Sequence, residues 1–160
     1  MSAASRRSRL TGRFGEIGVD AVLVTRLVNV RYLTGFTGSS GQLLVIPEGG
    51  VFLTDSRYEE QARREVPDLR RVVYPQKLAP VLAAAAGEEG VRRIGFEVAG
   101  LTYRSWRELE DIEGIDLVPI EDDVERLRWA KDPGEIALVE RAQRLTDEAF
   151  DRVIGKLSEG

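Results

Sequence analysis

Apolar residues fall into two kinds of run along this chain, and the two demand different elements. Ala21-Val22-Leu23-Val24 is short, continuous and partly β-branched, as expected of a strand buried on both faces. Gln42–Ile46, Val51–Thr54, Leu69–Tyr74, Arg93–Glu97 and Asp116–Ile120 read as further strands. Pro47-Glu48-Gly49-Gly50 between two of them is a hairpin signal, so at least one strand pair should be antiparallel. Helical spacing fills the intervals. Leu10, Phe14 and Ile17 stand at i, i+4 and i+7 on one face of an amphipathic helix, and Asn29–Leu33 forms a brief turn or helix. Asp55 or Ser56 caps a helix running to about Glu65, with Tyr58, Ala62 and Val66 on its inner side. Leu78–Ala86 is a helix ended by Gly87 and Gly90, and Thr102 caps another reaching Ile112. Strands alternating with helices, and one hairpin among them, predict an α/β domain: a mixed β-sheet with flanking helices.

The pattern changes at about residue 122. Asp122–Ala130 reads as one helical segment, and Asp132 opens a second, with Pro133 at its first position and Glu135 completing a capping box. This helix should run to Leu157, with Ile136, Leu138, Val139, Ala142, Leu145, Ala149, Phe150, Val153 and Leu157 on a broad apolar face. Such a face needs a partner layer. The expected organisation is therefore an α/β domain over 1–121 and a helical junction over 122–160, leading into a further domain or packing on a second subunit.

Composition narrows the chemistry. At 160 residues with 42% apolar, the chain can bury a core of its own. Its 23 basic and 27 acidic residues leave a net charge of −4, which excludes nucleic acid as a main partner. No stretch is long and apolar enough for a membrane span, so a soluble protein with the cytosol as its default compartment is expected. Arg6, Arg7, Arg9 and Arg13 among serines share their composition with transit peptides, or simply form the polar side of the first helix. With no cysteine and no histidine, the chain cannot build a thiolate site or a histidine-based metal site, nor a histidine general base.

Three clusters could carry chemistry. The run Gly35-Phe36-Thr37-Gly38-Ser39-Ser40-Gly41 must be an irregular loop. It matches neither a P-loop nor a dinucleotide fingerprint, since a strand follows it. Asp55 closes a strand, where α/β proteins place functional acids, but Val24-Thr25-Arg26 replaces the acidic pair a receiver domain needs. Asp55 then serves as a helix cap or a partner for Arg57. Glu121-Asp122-Asp123 and Glu125 could bind a hard cation weakly, or simply favour a helix N-terminus. Residue chemistry alone presents no catalytic constellation.

Several segments, taken in order, resemble the N-terminal domain of the Xaa-Pro peptidase (prolidase, aminopeptidase P) and creatinase family. They are Leu10–Ile17, Gly18–Thr25, the long stretch Asn29-Val30-Arg31-Tyr32-Leu33-Thr34-Gly35-Phe36-Thr37-Gly38-Ser39, Phe52–Tyr58 with Gln61-Ala62, and Ile94-Gly95-Phe96-Glu97. Val124–Arg128, Lys131, Glu135-Ile136, Ala142, Thr146-Asp147 and Ala149 are similar to the junction into that family's catalytic domain.

The resemblance implies a creatinase/prolidase N-terminal fold in a cytoplasmic homodimer, acting on proline-containing peptides. It also implies two divalent metal ions (Mn, Co or Zn) held by a separate C-terminal catalytic domain, with no catalytic or metal-binding residue in this chain. Its contribution would be dimerisation and substrate restriction. The loop with an exposed Phe36, together with Arg57 and Tyr58, is the implied substrate-facing set. The other reading is a stand-alone binding or scaffold domain of the same architecture without activity.

Overall fold

The computed structural model describes residues 1–75 and 77–158. The backbone divides into two compact units, one spanning residues 2–128 and the other beginning at Trp129 and including Met1. In the first, α1 (Ala3–Thr11), α2 (Phe14–Ile17), β1 (Ala21–Val24) and α3 (Leu27–Thr34) lead to the hairpin of β2 (Gln42–Ile46) and β3 (Gly49–Thr54). A 3-10 turn (Ser56–Tyr58), α4 (Glu59–Glu65), β4 (Arg70–Val73), α5 (Leu78–Glu88), β5 (Arg93–Glu97), α6 (Tyr103–Glu110), β6 (Asp116–Ile120) and α7 (Asp123–Trp129) follow.

The six strands form one sheet in the order β4-β3-β2-β1-β5-β6. Only β2 runs against its neighbours; β1 pairs with β5, β5 with β6 and β3 with β4 in parallel. The expected mixed sheet with flanking helices is thus present. Ile46 pairs with Gly49, so Pro47-Glu48 alone makes the hairpin loop. This topology gathers the carboxyl ends of five strands and the start of β2 on one edge. In open α/β sheets, such an edge is where loops build sites.

Period-2 alternation divides the side chains between two layers. Val22, Val24, Leu43, Val45 and Phe52 face α1, α3, α4 and α7 through Leu10, Val30, Leu33, Ala62, Val124 and Leu127. Ala21, Leu23, Leu44, Val51 and Leu53 face α5 and α6 through Leu82, Ala85, Ala86 and Leu109.

Three local expectations are corrected. The single helix over Leu10–Ile17 is two helices: Ser2 caps α1 through its Oγ to the Ser5 N–H, and the chain turns at Gly12-Arg13 before α2. Leu10, Phe14 and Ile17 still reach one core, because the turn preserves their common side. The helix after Asp55 begins as a 3-10 turn capped by Asp55, then continues as α4. Gly87 does not stop α5, which runs to Glu88; the left-handed turn is made at Gly90, φ 67°.

In the second unit, α8 (Pro133–Ser158) begins at the expected capping box. Glu135 N–H donates to Asp132 Oδ1 at 3.0 Å, and Asp132 N–H donates to Glu135 Oε2 at 2.9 Å. Its apolar residues Ile136, Leu138, Val139, Leu145, Phe150, Val153 and Ile154 are exposed in this chain. The side chain of Leu157, counted on that face, lies outside the described residues, as does the end at Glu159-Gly160.

Candidate functional site at the carboxyl edge of the sheet

The glycine loop is tightly built. Gly35 closes α3 in the left-handed region, φ 85°, donating to Arg31 O. Thr34 Oγ1 then accepts the Phe36 N–H at 3.0 Å and turns the chain inward. Phe36 is buried, 1% exposed, which corrects the expectation of an exposed ring. It packs 4.8 Å from Phe52 and edge-on at 5.8 Å to Tyr58, because an exposed phenyl forfeits the burial that these two rings provide. The glycines follow from this packing. A Cβ on Gly38 would lie 2.4 Å from the Phe36 ring and 2.7 Å from Tyr58, and one on Gly41 would lie 2.9 Å from Phe52.

Polar bonds fix the rim. Thr54 Oγ1 donates to Ser40 O at 2.6 Å, and Glu65 accepts the Thr37 N–H at 2.7 Å. Burial works to raise the Glu65 pKa, but the Thr37 N–H and hydroxyl and the Gln61 amide outweigh it, leaving it below the usual range. Arg57 grips Asp55 with two guanidinium bonds, Nε to Oδ1 at 3.0 Å and NH2 to Oδ2 at 2.8 Å. That grip, with a Ser40 hydrogen bond, holds the Asp55 carboxyl well below its ordinary pKa. The Tyr58 hydroxyl meets Ser39 Oγ at 2.5 Å, and this contact lowers its pKa. Arg57 lies 5.6 Å over the Tyr58 ring with its side chain 73% exposed. The cluster therefore offers solvent a guanidinium, a half-buried phenol and the Ser39 hydroxyl over an aromatic base. Both alternatives read for Asp55, a cap and a partner for Arg57, are realised together.

A second polar cluster on the same edge is buried. Glu97, at the end of β5 and 1% exposed, accepts the Thr25 and Arg26 N–H groups on Oε2 at 2.6 and 2.8 Å, and Asn29 Nδ2 on Oε1 at 2.5 Å. Asn29 Nδ2 also donates to Glu125 Oε1 at 2.7 Å, while Asn29 Oδ1 accepts Arg128 at 2.9 Å. Arg26 pairs with the same Glu125 oxygen. Asn29, completely buried, thus joins two carboxylates and spends both amide hydrogens on them. Burial pushes the Glu97 carboxyl up, the Glu125 charge adds to this, and the three N–H donors oppose it. Asn29 and Glu97 lie within the family-like motifs of the sequence, which assign neither a role. The available signal was a glutamate ending an otherwise apolar strand and an asparagine in a short apolar helix.

The residues present do not fit a metal centre. Among the described residues no group of three or more carboxylates converges. Two acids of the run at the start of α7 are paired: Asp123 lies 2.9 Å from Arg13, and Glu125 belongs to the Asn29 cluster. No helix of the described residues is long and apolar enough to cross a membrane.

This architecture and these motifs coincide with a known domain. Residues 6–129 match the model of the creatinase/prolidase N-terminal domain. The chain belongs to that family. It is 35% identical over 95% of its length to an uncharacterized peptidase of Bacillus subtilis, covering 43% of that protein. The Xaa-Pro dipeptidase from Bacillus anthracis superposes with a TM-score of 0.91 at 30% identity, over 96% of this chain and 43% of that one. The N-terminal domain of the cytoplasmic peptidase PepQ from Mycobacterium tuberculosis superposes with a TM-score of 0.71 at 38% identity, over 78% of this chain and 98% of that domain. The chain thus spans less than half the length of the two longer relatives.

Proposed function

We propose that this chain is the non-catalytic N-terminal part of a metal-dependent Xaa-Pro peptidase that hydrolyses the bond preceding proline in di- or oligopeptides. The observation carrying this reading is the family match over residues 6–129, which spans the whole sheet domain. Residues 1–121 are the α/β domain, and the helices from residue 122 lead into a catalytic domain that holds two divalent ions (Mn, Co or Zn). The setting is a cytoplasmic homodimer.

The contribution of this domain is assembly and substrate restriction. The substrate-facing set is Arg57, Tyr58 and the loop rim at Ser39; Phe36 supports that rim from beneath, since its ring is buried. An ordered rim suits a steric filter, because a filter that yields does not discriminate by length.

The test is hydrolysis of an Xaa-Pro dipeptide and a longer Xaa-Pro peptide with added Mn²⁺, Co²⁺ or Zn²⁺, on this chain and on the product of its gene read beyond residue 160. Activity confined to the longer product is expected. Metal-dependent hydrolysis by the 160 residues alone, or silence in both, would overturn the reading. Silence in both would support the stand-alone binding domain.

A further inference from the structure

On the opposite side of the sheet from the glycine loop, the carboxyl edge opens into a cavity of about 280 Å³ between α5 and α6. Its mouth lies where the strand order turns back across the sheet, since β1 is followed on one side by β2 and on the other by β5. This is the topological switch point, at which open α/β sheets form ligand crevices. The cavity is at the small end of the range for ligand sites.

Its polar groups are unevenly satisfied. Gln42 Oε1 accepts the Tyr74 hydroxyl at 2.8 Å, which leaves the half-buried Gln42 Nε2 a donor with no partner among the described residues. Glu108 forms no ion pair among the described residues. Among the described residues no lysine or arginine lines the space, and Glu108, exposed to solvent, is its charged group. Leu78 and Leu101, both half-buried, supply apolar surface on an otherwise mostly polar lining, while Leu109 is buried. The floor is closed by a contact only glycine permits: a Cβ on Gly100 would lie 2.3 Å from Thr25 Oγ1.

We propose that this cavity is a binding site for a small primary-ammonium ligand carrying a neutral carbonyl and an aliphatic body, an amino-acid amide or amine of that type. The ammonium pairs with Glu108, the carbonyl accepts from Gln42 Nε2, and the aliphatic part lies on Leu78 and Leu101. A free carboxylate is disfavoured, because it would face Glu108 with no cation beside it. The site is independent of peptidase activity and can be tested on the 160-residue chain as it stands.

The experiment is an amide NMR titration of the full chain with L-leucinamide, run beside N-acetyl-L-leucinamide, which lacks the ammonium, and L-leucine, which adds a carboxylate. Saturable shifts centred on Thr25, Gln42, Gly100 and Ser105 are expected for L-leucinamide. Binding should be about fivefold weaker in Glu108→Gln and for both control ligands, the scale of one partly exposed charge pair. Glu108 is exposed on α6 and makes no bond there, so the variant keeps the fold. Shifts elsewhere, no saturation, equal binding of the three ligands, or an unchanged Glu108→Gln would each overturn the assignment.

Discussion

The glycine loop and the Asn29 cluster occupy the same edge of the sheet and use polar groups in opposite ways. Around Tyr58, apolar rings lie beneath and, apart from the buried Thr54 hydroxyl, the polar atoms of the rim are reached by water, which can replace their bonds. Around Asn29, the Glu97 carboxylate is buried and that of Glu125 partly so, and among the described residues Arg26, the Asn29 amide and two backbone N–H donors bind them, with Arg128 on the Asn29 oxygen. Low local polarity makes each of those bonds strong and each loss expensive. The exposed cluster can therefore change without unfolding the domain, while the buried one is committed to holding α3, β5 and α7 together.

The largest effect should come from Asn29→Leu. The substitution removes both amide donors between the buried Glu97 and the partly buried Glu125, which keep only the Thr25 and Arg26 N–H groups and the Arg26 guanidinium among the described residues, a loss of about 2–3 kcal/mol. Urea unfolding of the chain would measure it, and a change below about 1 kcal/mol would mean that water replaces the amide. Gly38→Ala should follow at roughly 1–3 kcal/mol, because its methyl group must displace Phe36 or Tyr58. The same unfolding curves would show it, and an unchanged midpoint would mean that the loop yields instead of the rings.

The pH dependence separates the two regions by sign. The Glu97 pKa is raised in the folded protein, so its contribution to stability is fully present below the ordinary Glu value and is lost as pH rises through the folded one. Asp55 and Glu65 of the loop region have lowered values, so their contribution is present above the ordinary carboxyl range and is lost as pH falls through the folded values. The unfolding midpoint should therefore decline on both sides of a mildly acidic maximum. Glu97→Gln should flatten the alkaline side and leave the acid side intact; an unchanged alkaline slope would assign it to another group. Arg57→Ala should have the smallest effect, a slight fall in the unfolding midpoint near neutral pH and a shallower acid side, since its guanidinium is mostly in solvent but lowers the Asp55 pKa.

The sheet was legible because its strands are short and continuously apolar and its helices carry side-specific patterns. Arg93–Glu97 and Asp116–Ile120 have the same bounds in sequence and structure. The break at Gly12-Arg13 was not legible, because Leu10, Phe14 and Ile17 keep helical spacing across it. Phe36 was misread for a related reason. Glycines and serines around it signal a loop, but whether a loop residue faces inward depends on Phe52 and Tyr58, which arrive from β3 and the 3-10 turn. Asn29 and Glu97 stand 68 positions apart, and only the parallel pairing of β1 with β5 brings them together.

If the exposed cluster acts on substrate and the buried one only holds the fold, substitutions in the two should separate in peptide-length kinetics. The most direct measurement is kcat/KM for a long Xaa-Pro peptide relative to a dipeptide, in the product of the gene read beyond residue 160, comparing Tyr58→Ala with Asn29→Leu at a temperature where both remain folded. A changed ratio in Tyr58→Ala and an unchanged one in Asn29→Leu is the expected result. An unchanged ratio in Tyr58→Ala, or an equal change in both variants, would contradict that division of roles.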